Sequence, residues 1–381
     1  MVTFLHTADW QIGKQFANIP GDTGAILRER RIESVKKIAT IATQKNVDAV
    51  LVAGDIFDTN LVQGKTLLQT LGAMSEFSGK WLCIPGNHDS AEVDSIWARY
   101  KRNFGSENIV LLDEAKPYYL RNVPVVVLPA PLHRRHDSRD LTEWFDTCDT
   151  DPALIRIGLA HGSINNRLMQ RSEAPNTISD TRAETARLDY FALGDWHGQS
   201  NIATRTWYSG TPETDRFREN DSGKILLVEI DAPGIEPRVT SIDSGHYKWL
   251  AQDISIFHAA DMESVRHMLM DTGVPLDRIL LRLTLTGAVS LETRSLVDAY
   301  LEVLSAELRY LDIDNDGLRA EPTQADLDEI ERSGFVRMAI NKLTSIVADT
   351  ESDENETARL ALQLLYVEHK HMESSHAYKK N

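Results

Sequence analysis

The sequence predicts an α/β fold, and three observations predict it. Short apolar runs alternate with segments of helical period through the first 245 residues. Five polar clusters, TADWQIG, VAGDIFD, IPGNHD, LAHG and LGDWHG, follow such runs. They hold Asp9, Asp55, Asn87-His88-Asp89, His161 and Asp195-Trp196-His197. Continuous apolar runs read as buried strands, and the loops at their C-terminal ends converge on one edge of a sheet, where ligands bind.

The elements follow in order. VTFLHTAD, DAVLVAGD, WLCIPGNHD, IRIGLAHG and YFALGD are strands that run into their motifs. GAILRERRIESVKKIATIATQKN is a helix, because Ile32, Val35, Ile38, Ala39 and Ala42 recur at helical spacing. LVQGKTLLQTLGAMSEF is a second helix, and KILLVEID and PRVTSID pair as strands that close the sheet. From 246 to 322 the pattern becomes strand, helix, strand, helix, strand, which predicts a small α/β lobe. Residues 323–373 read as two helices split by the acidic ADTESDENET, with apolar stripes at Val336, Ala339, Ile340, Leu343, Ile346 and Val347, and at Leu360, Ala361, Leu364, Leu365 and Val367. Residues 374–381 read as a disordered tail.

The residue types in the five motifs suit a two-metal hydrolytic site. Two divalent ions about 3.5–4 Å apart clamp a phosphate, activate a water and stabilise the leaving oxygen. Such a site needs a bridging carboxylate and further oxygen and nitrogen ligands. A mixed Asp, Asn and His set suits Mn²⁺, Fe²⁺ or Zn²⁺ better than Ca²⁺, and the lack of thiolates excludes a Cys-type structural zinc site.

On HTADW-x-x-G, GDIFD, GNHD and YSGTPETDRF, the chain resembles the calcineurin-like metallophosphoesterases, and within them the SbcD-type DNA repair nucleases. The resemblance covers residues 1–245 clearly and the remainder through its order of elements. It implies a β-sandwich flanked by helices, a capping domain over 246–322 and a C-terminal helical pair. It implies metal one on Asp9, Gln11, Asp55 and His197, and metal two on Asp55, Asn87, His161 and Asp195. His88 would be the catalytic histidine, oriented by Asp58. The implied activity is DNA phosphodiester hydrolysis, as an exonuclease and in part an endonuclease. The implied partners are DNA and an SMC-like, SbcC-like ATPase, docked on the helical pair, with a homodimer as a further assembly. A phosphatase or cyclic-nucleotide phosphodiesterase on the same scaffold is the alternative.

Two positions depart from the family pattern. Asp-x-His is here Asp9-Trp10-Gln11, and Gly-His-x-His is here Gly194-Asp195-Trp196-His197. Both replacements carry an oxygen, which makes the site harder and predicts Mn²⁺, with Mg²⁺ as second choice, over Zn²⁺. A degenerate, non-catalytic DNA-binding subunit is the competing reading.

Net charge is −16, of which residues 1–250 carry −5 and residues 251–381 carry −11. The C-terminal part is therefore poorly suited to grip a phosphate backbone. Arg134, Arg135 and Arg139, with His133 and His136, and then Arg167 and Arg171, are the nucleic-acid contacts expected in the first part; an ordinary solvated loop accounts for the same cluster. Cys83 reads as a core residue, and with Cys148 it builds neither a disulfide framework nor a metal knuckle. The start lacks a signal-peptide pattern and no apolar run is long enough to span a bilayer, so a cytoplasmic enzyme is expected. Asp312-x-Asp314-x-Asp316-Gly317 imitates an EF-hand start, but position twelve is Thr323, so a polar turn is expected there.

Overall fold

The computed structural model describes residues 1–164, 176–218, 220–320, 327–328, 330, 334–349 and 353–378. The chain divides into two compact units, Met1–Lys248 and Trp249–Asn381.

In the first unit the strands are β1 (Val2–Thr7), β2 (Ala49–Val52), β3 (Lys80–Cys83), β4 (Ile109–Leu111), β5 (Tyr118–Tyr119), β6 (Val125–Ala130), β7 (Ile155–His161), β8 (Ser163–Ile164), β9 (Thr177–Ile178), β10 (Tyr190–Gly194), β11 (Ser200–Ala203), β12 (Thr206–Tyr208), β13 (Lys224–Ile230) and β14 (Arg238–Asp243). Its main helices are α1 (Thr23–Gln44), α2 (Gly64–Met74) and α3 (Ile96–Asn103), followed by the short α4 (Trp144–Thr147) and α5 (Arg182–Thr185). They form the expected sandwich. One six-stranded sheet has the order β14-β13-β1-β2-β3-β4 and the other β11-β12-β10-β7-β6-β5. β1 to β4 are parallel, as are β6, β7, β10 and β12.

Successive side chains along a strand point to opposite faces, so each buried strand feeds two cores. Phe4, Leu51 and Leu82 meet Val127, Ile157 and Tyr190 between the sheets. Their neighbours Leu5, Val50 and Trp81 face outward onto Val35, Ile38 and Leu67 of α1 and α2. Val126, Ala160 and Phe191 bury the outer face of the second sheet. Removing a fully buried ring such as Phe4 costs about 3–5 kcal/mol, a large share of a typical total of about 5–15 kcal/mol. α3 starts where Ser95 accepts a hydrogen bond from the Ala98 N–H at 3.2 Å. This layering leaves the parallel strands of both sheets with their C-terminal ends free to carry loops.

The second unit holds β15 (Lys248–Ser255), α6 (Met262–Asp271), β16 (Ile279–Val289), α7 (Leu291–Glu307), β17 (Tyr310–Ala320), α8 (Phe335–Ala348) and α9 (Asn355–Tyr378). Its sheet has the order β15-β16-β17. Three details differ from expectation. The Asp312–Gly317 segment is not a turn. It lies within β17, which pairs in parallel with β16 along its whole length and absorbs a bulge opposite Thr284 and Thr286. As an edge strand it points Asp314 and Asp316 to solvent, so the acids need no turn to stay wet. Leu360 and Leu364 do not join the packed stripe of α9: Leu362 is buried with Leu327 and Ile340, while Leu360 and Leu364 are 55% and 57% exposed. The last helix also runs to Tyr378, because no proline or glycine interrupts it after the acidic loop, where an unstructured tail from 374 was expected. No helix among the described residues is long and apolar enough to cross a membrane.

Candidate metal centre

The loops after β1 and β2 are locked together by backbone pairing. Asp9 N donates to Gly54 O at 3.1 Å, Gln11 N to Asp55 O at 2.9 Å and Ile12 N to Ile56 O at 2.9 Å. Asp89 clamps the loop after β3 onto the same pair. Its carboxylate accepts from Gly86 N at 2.7 Å, Ile56 N at 3.0 Å and Phe57 N at 3.2 Å. A Cβ on Gly86 would stand 2.1 Å from the Asp55 carboxylate, so only glycine lets these loops close.

The backbone is strained where the ligand candidates lie. Asp9, Gln11, Asp55 and Asp195 all have positive φ, at 54°, 41°, 53° and 102°. Non-glycine residues take this region at a cost of order 1 kcal/mol or more each, and such strain concentrates at functional sites.

The structure brings all seven expected ligands into one buried cluster. Ligand atoms of Asp9, Asp55 and His161 lie within 4.8 Å of one another. His161 Nε2 is 2.7 Å from Asn87 Oδ1, 3.6 Å from Asp55 Oδ1 and 3.9 Å from Asp195 Oδ1. His161 Nδ1 meets the Ala53 carbonyl at 2.8 Å; a carbonyl only accepts, so Nδ1 carries the hydrogen and Nε2 is the atom turned to the cluster. His197 lies on the other side, its Nε2 3.2 Å from the Gln11 amide nitrogen and its Nδ1 3.2 Å from Asp215. Gln11 Nε2 also donates to Asp55 at 3.4 Å. Gln11 thus presents its nitrogen to its neighbours, and a ligand role would require the amide to turn its oxygen over. Asp195 is held by Ser163 Oγ at 2.6 Å, and its own N–H donates to Asp9 at 3.1 Å.

The electrostatics suit a cation. Asp9 and Asp55 are buried side by side, which is costly unless positive charge is present. Burial pushes the Asp9 carboxyl up to about 6, against the pull of His161 and His197. Burial opposes charge on His161, yet Asp55, Asp9 and Asp195 together hold its pKa up at about 9. A proton on His161 therefore does part of the work that a divalent ion would do. The buried oxygen and nitrogen set fits such ions.

His88 sits at the edge of this cluster, and its backbone N–H donates to Asp55 at 2.9 Å. Its Nδ1 meets Asp58 at 2.9 Å, through the backbone carbonyl. The expected orienting hydrogen bond is thus made by the Asp58 main chain. It fixes the tautomer with the hydrogen on Nδ1 and leaves Nε2 for chemistry.

The family model for calcineurin-like phosphoesterases matches residues 2–228. The chain belongs to the calcineurin-like phosphoesterases. The family's enzymes hydrolyse phosphoester bonds with divalent metals, and the cluster of Asp9, Asp55 and His161 is a fitting site. The DNA double-strand break repair protein Mre11 of Haloferax volcanii is 24% identical over 366 residues, which cover 92% of this chain and 77% of that protein. The uncharacterized metallophosphoesterase YhaO of Bacillus subtilis is 23% identical over 80% of this chain and 78% of its own length. The SbcD component of the Bacillus subtilis nuclease SbcCD is 24% identical over 61% of this chain and 67% of its own length. The relatives thus include the SbcD type expected from the motifs.

Several residues that shape this phosphoesterase centre were not among those expected. Arg31 of α1 is fully buried; it donates to Trp10 O at 2.6 Å, Asp9 O at 3.2 Å and Glu213 O at 3.2 Å. Asp215 is buried too, and Lys14 binds it at 2.6 Å. Burial opposes its charge, but His197, Arg31 and Lys14 hold its carboxyl well below the usual range. Asp215 lies in the YSGTPETDRF segment, whose charged residues were the available signal. Of the expected DNA contacts, Arg134 and Arg135 are exposed in the loop after β6, next to Leu132, which pairs with Ala91 and so borders the Asn87 loop. Arg139 is exposed but bound to Asp137 at 2.8 Å. Arg167 and Arg171 lie outside the described residues.

Proposed function

We propose that this phosphoesterase is a DNA nuclease, the catalytic subunit of an SbcCD-like repair or defence complex in the cytoplasm. The observation that carries the reading is the convergence of seven oxygen and nitrogen ligand residues from five strand ends in a protein whose long relatives are Mre11 and SbcD nucleases. Asp9, Gln11, Asp55 and His197 would hold one ion, and Asp55, Asn87, His161 and Asp195 the other, with Mn²⁺ preferred and Mg²⁺ usable. When bound, the ions supply charge neutralisation and a water of lowered pKa. The protein does the rest. Asp55 ties both halves of the cluster together, and Asn87 and His161 hold the phosphate side in a fixed, buried frame. His88, its tautomer set by the Asp58 carbonyl, gives a proton from Nε2 to the leaving oxygen. The lobe over 246–322 is a capping domain that steers DNA, and residues 323–373 dock an SMC-like ATPase. A homodimer would pair two clefts.

The amide nitrogen that Gln11 turns to Asp55 and His197 favours a second reading, in which one ion is bound weakly and the protein binds DNA without cutting it. The purified protein with Mn²⁺, given end-labelled linear and circular DNA and bis-p-nitrophenyl phosphate, separates the two. Turnover of both substrates, with loss of turnover and of bound metal in Asp55→Ala, supports the nuclease. Full metal content without turnover supports the second reading.

A further inference from the structure

We propose that Trp196 and Arg218 form a base-stacking clamp at the rim of the metal centre, which selects nucleic acid over other phosphodiesters; the inference rests on the nuclease reading and names its specificity element. Trp196 stands between the ligand residues Asp195 and His197 and lines the same cleft as Asn87 and His88. Its ring is not free to wander. One edge packs on the core behind the second sheet, and a Cβ on Gly198 would stand 2.9 Å from its Nε1. The ring is nonetheless half-buried, not closed off. The guanidinium of Arg218 lies over it, 4.9 Å from the ring centroid.

The two arginines of this loop differ. Arg216 is tied to Asp215 at 3.1 Å and approaches His197 Nδ1 at 3.1 Å, so it belongs to the ligand scaffold. Arg218 is exposed, and no ion pair engages it among the described residues. A pre-positioned indole with a movable cation on its face suits a nucleotide. The base stacks on the indole or the guanidinium, and the cation reaches the adjoining phosphate. Every base offers a π-face, so the clamp is indifferent to sequence. A hydrolase of small, non-nucleotide phosphoesters has no use for such a platform beside its ions.

The test uses the full-length protein and two labelled single-stranded oligonucleotides, one normal and one with abasic sugars near its end. Binding is read by fluorescence anisotropy in EDTA at low salt, and KM by cleavage in Mn²⁺. The wild type is expected to favour the base-bearing strand about tenfold in both readouts. Trp196→Ala and Arg218→Ala should each bring that ratio close to one, and Trp196→Phe should keep most of it. A ratio unchanged in Arg218→Ala and in a folded Trp196→Ala overturns the clamp while leaving the nuclease reading intact. If Trp196→Ala does not fold, Arg218→Ala and Trp196→Phe decide the matter alone. A wild type that hydrolyses p-nitrophenyl phosphate but neither binds nor cleaves either strand overturns both.

Discussion

His88 receives its orientation from the main chain of Asp58: its Nδ1 lies 2.9 Å from that residue's carbonyl oxygen. A carbonyl cannot be removed by changing the side chain. Asp58→Asn should therefore retain kcat within about fivefold, whereas His88→Ala, which keeps the fold and the ligands, should lose about 10²–10⁴-fold, the usual worth of a positioned acid or base. Single-turnover cleavage with bound metal measured alongside checks both. Loss of metal in His88→Ala would make it a ligand and sink the proton-transfer role.

The protonated His161 predicts how stability depends on pH when metal is withheld. Its pKa in the folded chain is about 9, against an ordinary 6.5. A group raised on folding gives stability that is fully present below 6.5 and is lost as pH rises through about 9. Below 6.5 His6, pushed down to about 3 by burial, works in the opposite direction, so the clean window lies above neutrality. In chelator, Tm should fall between pH 7 and 9, and saturating Mn²⁺ should remove that slope, because a bound cation replaces the proton. Calorimetry over this range decides; a Tm in chelator that is flat or rises with pH contradicts the assignment.

The two altered ligand positions set metal preference. Ser163 holds Asp195 at 2.6 Å, so the carboxylate is built into the frame and is not a casual replacement. The native protein should prefer Mn²⁺ to Zn²⁺, and Gln11→His with Asp195→His should shift the preference toward Zn²⁺. Rates across a metal series, with metal content by mass spectrometry, give the answer. A native protein with fewer than two ions in millimolar Mn²⁺, activated only by the double substitution, would identify a degenerate site.

The exposed side chains of α9 offer a mild test of docking. Leu360 and Leu364 are one turn apart and point away from the small core around Leu362. Leu360→Glu with Leu364→Glu should leave Tm within about 2 °C, as surface changes usually do, and should leave turnover of a small phosphodiester intact. Binding to the SMC-like ATPase, read by co-purification and titration, should drop at least tenfold. Unchanged binding would place the docking surface elsewhere.

The fold was legible because strands and motifs are adjacent in the chain. DAVLVAGD gives a buried strand and its ligand in eight letters, and the same holds for IRIGLAH. The ligand positions followed for that reason. Arg31 was not legible: it sits on the buried face of an ordinary helix, and its partner Glu213 is 182 residues away. Asp215 and His197 are related in the same non-local way, through a turn that neither residue specifies. Leu360 and Leu364 were misassigned because helical spacing marks apolar faces without saying which face meets a neighbour. Asp312 to Asp316 read as a turn because acids are rare in buried strands, whereas β17 is an edge.

The left-handed backbone at Asp9, Gln11, Asp55 and Asp195 acts as a filter on inheritance. Asparagine, aspartate and glycine enter that region readily, and β-branched residues do not. Drift at positions 9, 55 and 195 is therefore channelled toward a few letters even after selection for catalysis has lapsed. A silent descendant of this enzyme would still spell much of its motif, and the survival of Asp or Asn at these sites records the shape of the loops as well as their chemistry.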